Sequence, residues 1–107
     1  MTCKIIQISA SARRFIEERR IEDITFDLIQ PETLHRKKYV NEIEARYIAP
    51  ADARGYRYFR VENYHIFISR KIKIFDELKL CTEGIWWMKR IYLNGAIAAV
   101  PFWFLDR

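Results

Sequence analysis

The stretch Ser9–Ile29, SASARRFIEERRIEDITFDLI, decides the fold. In its first half, Ala12, Phe15 and Ile16 fall at helical spacing and make one apolar stripe, while Arg13, Glu17 and Arg20 point elsewhere. Ser9 stands just ahead as an N-cap, because its hydroxyl can accept from an otherwise unpaired backbone N–H. In the second half the period changes to two. Ile24, Phe26 and Leu28 share one face, with Thr25 and Asp27 on the other, the pattern of a half-buried strand. Upstream, CKIIQI (Cys3–Ile8) reads as a short strand, so the chain opens strand–helix–strand.

Downstream, Pro31 ends the strand because proline cannot donate to a central ladder. A polar, basic loop follows, then a strand around Ile43–Ile48 and a turn through Pro50–Gly55. Tyr56–Val61 and Tyr64–Ser69 are rich in β-formers, and Glu62-Asn63 between them predicts a hairpin, with Asn63 supplying the left-handed backbone. KIKIFDELKL reads as a strand end and then a helical turn around Asp76–Leu78. Ile85–Leu93 reads as a long strand, and Asn94-Gly95 is the strongest hairpin signal, with Ala96–Val100 folding back. Pro101 then releases the tail PFWFLDR. The expected fold is α+β and mainly β: one N-terminal helix packed on a largely antiparallel sheet. Residues 1–107 form a single domain, with 101–107 as an apolar C-terminal tail.

The composition supports a packed body. Half the residues are hydrophobic and 15% are aromatic, which argues against disorder. The net charge is +5 and the pI about 9.4, which permits an acidic partner without requiring one. Charges are interleaved, as in RRFIEERRIED, where a dedicated nucleic-acid arm would show a longer run of one sign. Nothing in MTCKIIQISAS resembles a signal peptide, and the apolar run AIAAVPFWFL has about half the length a membrane span needs. With two cysteines, Cys3 and Cys81, the expected setting is a reducing cytoplasm without membrane contact.

Cys3, His35, His65 and Cys81 lie far apart without CxxC or HxxxH spacing, so no metal and no cofactor is expected. No GxSxG or SxxK occurs, three glycines are too few for a phosphate-cradling loop, and no residue is assigned a catalytic role. Asp23, Asp27 and Glu83 read as ordinary edge or turn acids. His35, Arg36, Lys37 and Lys38 form a compact positive loop, and Arg54 and Arg57 accompany Tyr56, Tyr58 and Phe59. Arginines hold phosphates and aromatics stack bases, so this mixture suits single-stranded nucleic acid, although exposed strands also favour tyrosine and arginine. The tail residues Phe102, Trp103, Phe104 and Leu105 either pack over their own sheet or cover a second copy in a homodimer.

Three segments carry a resemblance. IQISASARRFIEE, YFRVENYHIFISRKI and LKLCTEGIWWMKRIYLNG resemble the opening, hairpin and following strand pair of HesB-like, A-type iron–sulfur carrier proteins. The pattern is closer still to a small family of HesB-related proteins of unknown role, named for a Cys-Cys or Cys-selenocysteine motif. In that family a strand like ITFDLI leads into the cysteine pair. This chain departs from it: QPETLHRKKYVNEIEAR and NGAIAAVPFWFLDR contain no cysteine. Thiolates are what hold such clusters, so the iron–sulfur activity that the resemblance implies should be absent. The leading expectation is a non-enzymatic scaffold or protein-interaction domain, working as a homodimer or with another protein. The alternative is a nucleic-acid or anion-binding module using residues 36–38 with Arg54 and Arg57. A metal-dependent or thiol enzyme using His35, His65 and Cys81 comes third.

Overall fold

Capping and periodicity build the opening unit as the sequence predicts. A computed structural model describes residues 5–29, 42–85 and 89–97. In it β1 spans Ile5–Ile8, α1 Ala10–Arg19 and β2 Asp23–Ile29. The Ser9 hydroxyl accepts from the Ala12 N–H at 3.0 Å, and Ala12, Phe15 and Ile16 are buried. The helix closes on Arg20, whose backbone is left-handed at φ 54 and ψ 45. The Arg20 N–H returns to the Glu17 carbonyl and the Ile21 N–H to that of Ile16, both Ile21 and Ile16 being buried. This is a Schellman ending with arginine where glycine is usual. Arg20→Gly is therefore expected to raise stability by about 0.5–1 kcal/mol, since a left-handed L-residue is strained. Arg20→Ala should leave it nearly unchanged, and urea denaturation of the pair checks the difference.

The remaining strands are β3 (Glu42–Arg46), β4 (Tyr56–Val61), β5 (Tyr64–Ser69), β6 (Lys73–Glu83) and β7 (Arg90–Ile97), with a 3₁₀ turn at Ala53–Gly55. They form two mixed sheets, of order β1-β6-β7 and β3-β2-β5-β4, where one largely antiparallel sheet was expected. Each contains a parallel pair, β1 with β6 and β2 with β5. Helix α1 carries the chain from one sheet to the other, so β1 and β2 are not partners. Ala12, Phe15 and Ile16 of α1 join Ile24, Phe26, Ile66 and Ile68 of one sheet and Leu78, Leu80, Ile91 and Leu93 of the other in a single core. Tyr47, after β3, ties the halves. Its hydroxyl accepts from the Ile91 N–H at 3.1 Å, and its ring lies 5.7 Å from that of Phe15.

Five local expectations are corrected. The helical turn at Asp76–Leu78 is a bulge within β6: Ile74 pairs with Ala96 and Lys79 with Asn94, so Phe75–Leu78 stand opposite Gly95 alone. Asn94-Gly95 is accordingly no hairpin turn but the interior of β7, where Gly95 has φ +105 and a Cβ would stand 2.3 Å from the Glu77 carbonyl oxygen. Of the strand expected over Ile85–Leu93, residues 86–88 lie outside the described residues, Ile85 and Lys89 are not in a strand, and β7 runs from Arg90 through Ala96 and Ile97 without folding back. In the β4–β5 hairpin the positive φ falls on Glu62 (φ 56), the first central residue, and not on Asn63, the sign pattern of a type II′ turn. The Glu62 carboxylate there accepts from the Arg13 guanidinium. Thr25, expected on a solvated face, is fully buried, and its hydroxyl donates to the Ile48 carbonyl at 2.6 Å. The expected tail 101–107 lies outside the described residues.

Candidate functional site

The β5–β6 turn is built by satisfying its own backbone. Ser69 accepts twice, its carbonyl from the Ile72 N–H at 3.0 Å and its hydroxyl from the Lys71 N–H at 3.2 Å. The Arg70 N–H donates to the Gly55 carbonyl at 3.0 Å, and Arg57 Nη1 donates to the Ile72 carbonyl at 3.1 Å. Ile72 is fully buried and anchors the turn in the core. Held in this way, Arg70, Lys71 and Lys73 are all exposed. The 3₁₀ turn beside them is capped by Asp52, whose carboxylate accepts from the Arg54 N–H and, bidentately, from its Nε and Nη2 at 2.7–3.1 Å. The Arg54 guanidinium holds the Asp52 carboxyl below the usual carboxylate range.

Residues 52–57 and 69–73 thus bring Arg54, Arg57, Arg70, Lys71 and Lys73 onto two adjoining segments, with Asp52 the only acid in them. Of the residues singled out from sequence, Arg54 and Arg57 meet here, each already engaged. Arg57 faces inward on β4, an edge strand, and an inward charge opposes pairing of that edge with another strand. Arg70, Lys71 and Lys73 were missed, although RKIK announces them as three cations in four residues. His35, Arg36, Lys37 and Lys38, and the tail residues Phe102, Trp103, Phe104 and Leu105, lie outside the described residues.

The outer face of the four-stranded sheet carries a second cluster. Tyr58 is half-exposed, its ring 5.8 Å from that of His65 and 5.2 Å from that of Phe67, and its hydroxyl shares a 2.6 Å hydrogen bond with His65 Nδ1. On the same face, Asp27 accepts from the Tyr56 hydroxyl and from the Arg46 guanidinium, so it is a three-strand clasp and not an ordinary turn acid. The hydrogen bond to Asp27, then burial, then the Asp27 charge push the Tyr56 phenol above its ordinary range. A raised folded-state pKa means stability that is complete below the unfolded value near 10 and lost as pH rises through the folded one. Tyr56→Phe is expected to cost about 1 kcal/mol at neutral pH, a typical hydrogen-bond contribution. That gap should narrow above about pH 10, as denaturation across the alkaline range would record.

His65 and Cys81 stand on different sheets, and among the described residues no three Cys, His, Asp or Glu side chains gather as metal ligands. Cys81 is a free thiol opposite Tyr92, and its proximity is the main cause that pushes the Tyr92 phenol above its ordinary range. No helix among the described residues is long and apolar enough to cross a membrane.

A family model described as the CC/Se motif containing family matches residues 4–96. Comparison with curated proteins and with solved structures finds no match. The chain belongs to the CC/Se motif containing family, and it does so with its two cysteines, Cys3 and Cys81, far apart in sequence.

Proposed function

We propose that this chain is a non-enzymatic binding module that holds a polyanion against the Ser69–Lys73 turn. The observation that carries this reading is the pinned turn itself. Four hydrogen bonds and a buried Ile72 present Arg70, Lys71 and Lys73 without an acid on the same turn. A pre-organised cluster of cations loses little side-chain and loop freedom on meeting phosphates or sulfates. Arg36, Lys37 and Lys38 add further positive charge to the chain. The wider reading is a HesB-related scaffold of the reducing cytoplasm that works without a cluster; visible cluster absorbance after anaerobic reconstitution would count against it.

Binding of heparin and of a labelled single-stranded RNA, followed by anisotropy across a salt series, tests the polyanion reading. Affinity should fall with salt, with a slope of about −0.7 per neutralised phosphate for single strands. Arg70→Glu with Lys71→Glu should weaken both ligands by about tenfold or more and flatten the slope. Equal affinity in wild type and the double variant would overturn it.

A second reading, protein contact, is favoured by the half-exposed Tyr58 and its stacked neighbours, since buried aromatic anchors dominate interfaces. A second copy or another protein would cover this face. Light scattering of wild type, Tyr58→Ser and a chain trimmed of residues 101–107 tests the homodimer. A monomer in all three would exclude self-association through Tyr58 or Phe102–Leu105.

A further inference from the structure

We infer that the outer face of the three-stranded sheet is a base-stacking track, so that the polyanion is single-stranded nucleic acid. This rests on the polyanion reading above and adds the ligand's chemistry to it.

The track begins where the basic turn ends. Along β6 the side chains of Lys73, Phe75, Glu77 and Lys79 are exposed, while Ile74 is half-buried and Leu78 and Leu80 lie in the core. Phe75 is 50% exposed within its strand, which leaves a large apolar surface in water. The bulge explains how it is held. Phe75 opens the four-residue stretch that faces Gly95 alone, and the Glu77 carbonyl occupies the space that a Gly95 side chain would take. Phe75 is thus presented on fixed backbone. The neighbouring strands continue the face: Lys79 stands between Gln7 and Asn94, and Tyr92, 38% exposed, stands opposite Cys81. Phe75 and Tyr92 are therefore separated by at most about 20 Å of strand, with Lys79 between them.

The charges on this path are compatible with a phosphate backbone. Lys73 and Lys79 line it and Arg70 and Lys71 lead onto it. Glu83 is neutralised by Arg90 at 2.6 Å, which leaves Glu77 as the acid on the path among side chains that the structure describes. Aromatic rings alternating with cations along an exposed sheet are what single strands require, because every unpaired base offers a stacking face. A duplex hides its bases and would use the cations only.

Four ligands separate the outcomes: single-stranded RNA and DNA of about twelve nucleotides, a duplex of the same length, and heparin. Phe75→Leu and Tyr92→Leu should each weaken the single strands by about tenfold and leave heparin unchanged, whereas Phe75→Trp should retain binding. Wild-type protein should prefer the single strands to the duplex. If the leucine variants bind single strands as wild type does, while Arg70→Glu with Lys71→Glu loses both ligands, the stacking track is refuted and the polyanion reading stands. If the charge reversals change nothing, the polyanion reading itself falls. Both aromatics are exposed, and matching thermal midpoints for the variants would separate lost binding from lost folding.

Discussion

Gly95→Ala is expected to destabilise the protein by about 3 kcal/mol or more, the sum of a strained left-handed backbone and an overpacked contact. Two independent causes act at this position. At φ +105 an L-residue is unfavourable whatever surrounds it, and here a Cβ would lie 2.3 Å from the Glu77 carbonyl and 3.2 Å from Leu78 Cα. Both obstacles are backbone, which cannot rotate away. The bulge would have to open, and with it the register that sets Leu80 against Leu93. Such a loss is a large share of the 5–15 kcal/mol typical of a small domain. Gly55→Ala is the control, since a Cβ there meets nothing within 4 Å. It should shift stability by no more than about 0.5 kcal/mol. Urea midpoints measure both, and similar midpoints for the two variants would refute the bulge geometry.

Phe26→Ala is expected to cost about 3–5 kcal/mol, the range for emptying a fully buried aromatic site. Phe26 is 0% exposed on β2, which is central in its sheet, between Ala45 of β3 and Ile68 of β5. It also belongs to the cluster that unites the two sheets. Its loss would leave a cavity that two paired neighbours hold open. Three phenylalanines should therefore rank by burial: Phe26→Ala most costly, half-buried Phe59→Ala intermediate, and Phe75→Ala within about 0.5 kcal/mol of wild type. Chemical denaturation gives the ranking. Equal losses at Phe26 and Phe75 would be inconsistent with this core.

What failed at sequence level failed for identifiable reasons. Asn94-Gly95 carries the residues of a tight turn, yet the glycine is required by the close approach of β6 from across the sheet. Glu62 takes the positive φ that Asn63 tolerates better, and the Arg13–Glu62 contact ties that residue to α1. FDEL in β6 has helical composition, but ladder bonds to β7 on either side of the bulge keep it extended. At the candidate site the cations of RKIK were visible as charge. Their grouping with Arg54 and Arg57 was not, because it depends on the Arg70–Gly55 and Arg57–Ile72 hydrogen bonds.

The sequence by itself determined the local elements: the capped helix with its buried stripe, the alternation of β2, and the β4–β5 hairpin. Each follows from interactions between residues a few positions apart, and these act in any chain with the same local order. Only the tertiary structure decided that the strands divide into two sheets with parallel pairs, that Thr25 is buried, and that Arg54 and Arg57 join the basic turn. Those outcomes rest on contacts between segments dozens of residues apart, such as Ile5 with Glu77 and Asp23 with His65. Such pairings are selected by burial of the whole core, which no single stretch of the sequence encodes.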